Sequence, residues 1–414
     1  MNVNPAAPAA ASRAAGRLSP AASFFLLASI TVSFLAGSTA PTPLYSYYQS
    51  QWGFSALMVT VIFGVYAQAV LAALLVFGRL SDHVGRRPVL FAAIGVQAAT
   101  MWLFAHADGV GMLLVARVIQ GLSTGAAIAA IGAGLLDLDK GRGAIANAIT
   151  TPLGTAMGGI VAGLFVTLLP APSQLVYLAL GGLILLQGAA LLWMGETSRS
   201  RAGAWGSLRP QFSFSAGTRG PLLLAAPVII ATWAVAGFFN SLGPSMVRNL
   251  MGANSALLSG LALFVMAGSA GVAVFLLQKQ AARDAMRIGA ASLAAGMLIV
   301  ITALALHAPL LFFVGLVAAG TGFGTGFQGA VRSVVSHAHA NERAGVLAVI
   351  FVIAYLAMGL PAMGAGYLLS QGNELQIVAR EFGTAIVLLA LLPLLIPGKV
   401  AKVINNAQAI HNPR

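Results

Sequence analysis

Asp82, His83, Arg86 and Arg87 crowd into a single short segment, Gly78-Arg79-Leu80-Ser81-Asp82-His83-Val84-Gly85-Arg86-Arg87-Pro88-Val89-Leu90. A carboxylate this close to paired guanidiniums can accept charge-assisted hydrogen bonds from them, and it can also accept from the free amides at a helix amino terminus. Gly85 permits a tight reversal, and Pro88 suits the first turn of a following helix. These groups can pair and part, which is the chemistry of a latch rather than of bond making. Patterns that make bonds are missing: the chain has no phosphate-binding loop, no paired histidine ligands and no serine at the strand-to-helix turn that a nucleophile elbow requires. Use of ATP, an enzymatic activity, a cofactor and a bound metal are therefore not expected. Zero cysteines exclude disulfides and thiol chemistry.

The elements that must position this cluster are hydrophobic. From Leu18 to Gly78 there is no Asp, Glu, Lys or Arg, a run long enough for two membrane spans of roughly 20 residues each. Across 414 residues, 59% are hydrophobic and 7% charged, with a mean hydropathy of +0.90, too little polar surface to cover a water-soluble particle. The charge gaps place twelve helical spans near 22–42, 55–78, 88–105, 111–136, 144–168, 175–195, 221–247, 255–277, 288–306, 310–331, 344–369 and 376–397. The fold class expected is all-α and integral to the membrane.

A formal charge of +13 invites a nucleic-acid reading, but its placement argues otherwise. With the amino terminus in the cytoplasm, nineteen of the 22 basic residues fall on the cytoplasmic face, Arg248 and Arg380 fall on the outer face, and Arg117 lies within span 4. This is the positive-inside bias; it puts both termini in the cytoplasm and consumes the basic charge without nucleic acid. Residues 1–20 read as a disordered cytoplasmic tail, and 398–414 as a cytoplasmic C-terminal tail. The rival reading of the first apolar run as a cleaved signal peptide ending near Ser38-Thr39-Ala40 is disfavoured, because the run is too long and cleavage leaves eleven spans.

The connector at 197–220 divides the spans into two sets of six, 21–196 and 221–397. An offset of 201 aligns His106 with His307, Gly121 with Gly322, Gly125 with Gly326, Arg142 with Arg343, and Ala156-Met157-Gly158 with Ala357-Met358-Gly359. Two parallel six-helix bundles, with a substrate site between them near the bilayer midplane, are the architecture this suggests.

The segment Gly78 to Leu90 resembles the signature of the loop between helices 2 and 3 of the major facilitator superfamily, and the resemblance extends over nearly the whole chain. It implies a rocker-switch transporter in which Gly78, Asp82, Gly85, Arg86 and Arg87 latch the cytoplasmic ends of the halves. Arg117-Val118-Ile119-Gln120-Gly121 in span 4 is similar to an Arg-x-x-Gln-Gly element of drug and sugar exporters. That similarity implies a coupling role for Arg117, Gln120 and Gly121. A buried arginine costs roughly 2.5–3.5 kcal/mol to insert, so it must face a partner or a wet cavity. One such role is structural, clamping carbonyls of helix 1 where Pro41 and Pro43 break it. Span 5 carries Gly154-Thr155-Ala156-Met157-Gly158-Gly159, similar to the Gly-Pro-x-x-Gly-Gly element of family antiporters except that Thr155 replaces the proline. The spacing Gly154/Gly158 and Gly159/Gly163 also serves close helix packing without any antiport.

All nine carboxylates lie at span ends, which disfavours a cationic substrate and favours a neutral, amphipathic or anionic one. Proton coupling would then use boundary acids such as Asp82. On the spans that the family uses to line its cavity, contact candidates are Ser33, Ser38, Thr39, Thr124, Trp233, Phe239, Asn240, Thr325 and Gln328. Tyr45, Tyr47, Tyr48 and Trp52 read as an interfacial aromatic belt. The expected protein is a monomeric, proton-coupled exporter of a small molecule in the bacterial inner membrane. Uptake of a small metabolite and a non-transporting receptor are the alternatives.

Overall fold

The computed structural model describes residues 17–212, 215–252, 255–339 and 342–395. Most of the two expected tails therefore lies outside the described residues, as do Lys399, Lys402 and His411. Among the described residues, twelve helices are long and apolar enough to cross a membrane. Span 1 is built from α1 (Pro20–Thr39) and α2 (Pro41–Trp52). Span 2 is α3 (Ala56–Phe77), and the short α4 (Ser81–Val84) leads into span 3, α5 (Arg86–Ala105). Spans 4, 5 and 6 are α6 (Val110–Leu138), α7 (Lys140–Leu168) and α8 (Pro172–Leu191). After a one-turn α9 (Ala204–Ser207) come span 7, α10 (Ala216–Met251), and span 8, α11 (Ala256–Leu276). Spans 9 to 12 are α12 (Ala282–Ala305), α13 (Pro309–Val335), α14 (Arg343–Ser370) and α15 (Leu375–Leu395).

Local chemistry sets several of the ends. Ser19, Ser55, Asp139 and Ser255 cap spans 1, 2, 5 and 8 by accepting the amides of Ala22, Met58, Arg142 and Leu258. Gly53 and Gly252 end spans 1 and 7 in the left-handed region, where glycine is the natural residue. Span 1 is interrupted at its prolines as expected: α1 ends at Thr39 and α2 begins at Pro41, whose first position needs no amide, while Ala40 between them stays right-handed helical (φ −51°, ψ −37°), so the chain runs on in nearly the same direction. One expectation needs correction. Span 7 starts at Ala216, inside the expected 197–220 connector, and runs on to Met251.

The spans form two six-helix bundles. One large hydrophobic core draws only on residues between Leu27 and Met194, two others only on residues between Ala225 and Ala390. A fourth joins the halves, with Tyr66, Ala67, Val70 and Leu71 of span 2 against Tyr355 of span 11, and Trp233 packed on it. Spans 5 and 8 make the matching contact on the other side.

Without a hydrophobic drive between helices in lipid, close approach depends on small residues. A Cβ added to Gly121 would stand 2.5 Å from the Cβ of Ala69 and 2.7 Å from Tyr66 O, and one on Gly125 would meet Ala73 and Val70 O. In the second half, Gly320 and Gly324 meet Met266 and Ala270 of span 8 in the same way, whereas Gly322 faces Leu293 of span 9. The structural repeat of spans 4 and 10 is thus Gly121 to Gly320 and Gly125 to Gly324, two residues short of the sequence offset of 201, because one fixed offset cannot follow connectors of unequal length. Leu316, wholly buried, is therefore the counterpart of Arg117, in place of Ala318. Gly121→Ala should destabilise the detergent-solubilised protein by about 1–3 kcal/mol through overpacking, whereas Gly95→Ala, with open space around it, should melt like the parent protein.

Candidate functional site

Three groups of polar side chains stand out from the apolar bundles. The first surrounds Arg117, which has no solvent exposure. Its Nη1 donates to Ser38 O at 2.7 Å and to Gln120 Oε1 at 2.8 Å, and its Nη2 donates to the Tyr45 hydroxyl at 2.6 Å. The guanidinium also lies 5.2 Å from the ring centroid of Tyr66, 5.8 Å from Phe104 and 5.9 Å from Tyr45, within cation–π range. Pro41 has no amide to give Gly37, four residues before it, and Gln120 Nε2 donates to that carbonyl at 3.0 Å. The Tyr66 hydroxyl donates to Ser38 Oγ, and Ser123 donates to Gln97 Oε1. Arg117 Nε, Gln97 Nε2 and Thr124 Oγ1 are buried without a partner. The cation is thus held by carbonyls, hydroxyls and rings, with no carboxylate beside it. Gly121, next along the helix, brings span 2 and its Tyr66 into reach.

The second group is the loop cluster. Arg86, 6% exposed, bonds Ser81 Oγ at 2.7 Å, Asp82 at 2.5 Å and Asp137 of span 4 at 3.1 Å. Asp82 does not cap span 3. Glu196 does so, its two carboxylate oxygens accepting the amides of Arg86 (2.8 Å) and Arg87 (3.0 Å), while Oε1 also takes those of Thr197 and Ser198. Gly85 has φ +98°, and a Cβ there would stand 2.7 Å from Glu196 Oε2, so both backbone and space demand glycine. Gly78 simply ends span 2 in helical conformation. Arg87 donates to Leu192 O and stacks near Phe91. The connector is strapped to this cluster: Arg201 N donates to His83 O at 2.7 Å, and His83 Nδ1 donates to Ala202 O. Beside it opens a cavity of about 440 Å³ lined by Arg79, Asp82, Asp137, Arg199 and Arg201 among others.

The third group sits where the halves meet. Trp233 packs its ring against Phe327 (5.2 Å), Phe323 (6.4 Å) and Tyr355 (4.7 Å), and its Nε1 has no partner. Gln68 of span 2 reaches across to Tyr355 O at 3.2 Å.

The other cavity candidates lie elsewhere. Ser33 accepts from Gln187 of span 6, Thr39 bonds back to Leu35 O, and Thr325 bonds back to Thr321 O. Phe239 is core, beside Phe238 and Phe312, and Asn240 donates to Ala236 O in its own helix. Gln328 keeps a buried Oε1 without a partner. Gly154 and Gly158 press on Val32 and Ala36 of span 1, whereas Gly159 and Gly163 press on Leu263 and Ala256 of span 8, so this element is at least a packing device on both faces. Tyr45 and Tyr48 are not belt residues: each is 1% exposed, and Tyr48 bonds Tyr177 and stacks on Trp52. Glu196, Tyr66, Gln68, Gln97 and Tyr355 were missed by sequence reasoning. For the three amide and hydroxyl groups of spans 2 and 3, the signal available was a polar side chain within an apolar span.

The sequence pattern described as Major Facilitator Superfamily matches residues 26–362. The chain belongs to the major facilitator superfamily. It is 31% identical over 97 residues to the inner membrane transport protein YajR of Escherichia coli, covering 23% of this chain and 21% of that one. It is 25% identical over 210 residues to the multidrug resistance protein MdtL of a Shewanella species, covering 49% and 52% respectively. The matches thus span about half or less of these curated relatives. Among solved structures, the nucleoside transporter NupG superposes with a TM-score of 0.70 at 14% identity, over 90% of this chain and 99% of that one. An inward-facing bacterial homologue of the lysosomal transporter Spinster gives 0.62 at 14%, over 94% and 96%. The likeness to these superfamily members is one of fold.

Glu196→Gln places an amide NH2 against backbone amides and should destabilise the protein by about 1–3 kcal/mol. Detergent melting is the measurement, with exposed Asp108→Asn as a control that leaves the curve unchanged.

Proposed function

We propose that this superfamily transporter is a proton-driven exporter of a small neutral, amphipathic or anionic compound, working as a monomer in the inner membrane with the latch face and both termini in the cytoplasm. Residues 21–196 and 216–395 then rock as two bodies about the aromatic contact of Tyr66, Trp233 and Tyr355. The observation that carries the substrate class is electrostatic. The deepest carboxylate, Glu381, lies only in the second turn of span 12, while the charge deepest in the first bundle is Arg117. A desolvated cation would meet no counter-charge here, whereas a neutral ring can stack on Trp233 and accept from its free indole N–H.

The switch is assigned to the loop cluster, in which Arg86 is shared between Asp82 and Asp137, all three within the first half. With no carboxylate deep in a span, coupling falls to boundary acids such as Asp82. Arg117, wedged against helix 1, transmits movement of span 4 to span 1. The partial match to MdtL supports export; the fold likeness to NupG, named as a nucleoside transporter, keeps uptake of a small metabolite as the second reading.

Expression in cells should lower accumulation of amphipathic or weakly acidic probes, and an uncoupler should restore it; raised accumulation establishes uptake instead. Asp82→Asn should cut transport about tenfold, the effect of roughly 1.4 kcal/mol on one state of a two-state cycle, with membrane abundance retained. Arg117→Ala should abolish transport while Arg117→Lys keeps part of it; an Arg117→Ala protein missing from the membrane would make that arginine purely structural.

A further inference from the structure

At the latch face, the loop after span 2, the end of span 4 and the start of the connector enclose the cavity of about 440 Å³. Four guanidiniums line it, those of Arg79, Arg86, Arg199 and Arg201, against two carboxylates, Asp82 and Asp137. Arg86 engages both carboxylates, at 2.5 Å and 3.1 Å, and the Thr197 hydroxyl also donates to Asp137. Among the described residues no carboxylate pairs with Arg79, Arg199 or Arg201, and Nη1 of Arg79 is buried without a hydrogen-bond partner. The walls therefore hold a surplus of positive charge.

Membrane orientation accounts for arginines on this face, but it asks only for charge somewhere in the loops. It explains neither their convergence on one cavity nor a guanidinium nitrogen shut away from water, which is unfavourable until an acceptor arrives. The three arginines come from two segments. Arg79 follows the end of span 2, whereas Arg199 and Arg201 belong to the connector, which the Arg201 amide on His83 O and His83 Nδ1 on Ala202 O draw against the loop. Guanidiniums converging from two segments suit a tetrahedral oxyanion, whose oxygens accept charge-assisted bonds on several sides at once. The volume is that of a site for a small organic ligand, far more than a halide ion needs.

We infer that this cavity binds a phosphate group between Arg79 and the connector arginines Arg199 and Arg201, and that the bound phosphate fastens the connector to the first half. Leu192 and Trp193, exposed at the end of span 6, lie only a few residues before the connector, so the cavity sits where the chain leaves the bilayer. A phospholipid headgroup and a soluble phosphate ester offer the same chemistry there. The inference goes beyond the transport reading and depends neither on the compound moved nor on its direction.

Inorganic phosphate is the probe, radiolabelled and offered by equilibrium dialysis to the purified, delipidated full chain in nonionic detergent. Binding should saturate at one phosphate per chain and weaken as salt is raised. Arg199→Gln combined with Arg201→Gln should weaken it about tenfold, and Arg79→Gln at least as much. Both connector arginines are exposed, so the double variant should melt like the parent protein. Trypsin cuts after arginine, which lets the connector report its own fastening. Phosphate at ten times its dissociation constant should slow cleavage after Arg199 and Arg201 about tenfold, relative to chloride at equal ionic strength, and should not do so in Arg79→Gln. No saturable binding, or binding unchanged in both Arg79→Gln and the double variant, would overturn the site; unchanged cleavage at saturation would overturn the fastening. Binding lost in phosphatidylglycerol nanodiscs assigns the occupant to a lipid headgroup, and binding kept there assigns it to a soluble phosphate; both uphold the site.

Discussion

A guanidinium in hydrocarbon has to be met on every side, and much of the first bundle is arranged to meet this one. Arg117 draws a carbonyl from span 1, an amide from its own helix, a hydroxyl from the far end of span 1 and the faces of three rings. Each provider is in turn fixed by a small local rule. Pro41 leaves Gly37 O to Gln120, Gly121 lets span 2 close in until Tyr66 covers the cation, and Tyr66 then bonds Ser38. Spans 1, 2 and 4 are thus locked around one charge whose insertion alone costs roughly 2.5–3.5 kcal/mol.

The second bundle repeats the backbone but not the chemistry. Where the first has Arg117 it has Leu316, and its share of the central contact is aromatic: Trp233, Phe323, Phe327 and Tyr355. The two halves meet with a polar, cationic interior behind Tyr66 on one side and a ring-lined wall on the other. At the latch face the asymmetry continues, because Asp82, Arg86, Asp137 and Glu196 all belong to the first half. The first half holds the buried cation and the ion pairs of the loop cluster, and the second offers ring surfaces on which an uncharged molecule can rest.

How much of this was legible in the sequence follows from what each signal measures. Hydrophobic run length found all twelve spans, since a bilayer crossing is a one-dimensional requirement, and the charge cluster at 78–90 marked itself by its spacing. The helix 1 carbonyls were a foreseeable destination for the Arg117 cluster, because Pro41 must strand one of them: Gln120 takes that one, Gly37 O, and Arg117 the next, Ser38 O. Glu196 was not foreseeable: the span 3 amides that it caps are more than 100 residues away, and nothing local distinguishes a carboxylate that caps a distant helix from one at a span end. Ser33, Thr39, Asn240 and Thr325 were drawn as cavity groups from helix number alone, which does not tell which face of a helix looks inward, and in the structure all four bond within their own half. Tyr45 and Tyr48 looked interfacial because the same residue types serve both a membrane boundary and a buried hydroxyl network.

The strap between the connector and His83 shortens the tether between the bundles. From Glu196 to Ala202 the chain is pinned to the first half by the Arg201 amide on His83 O and by His83 Nδ1 on Ala202 O, and eight residues, 208–215, separate the end of α9 from the start of span 7. Eight residues drawn out fully cover at most roughly 26–29 Å. The connector thereby limits how widely the two bodies can part at this face, like a short leash between two swinging gates.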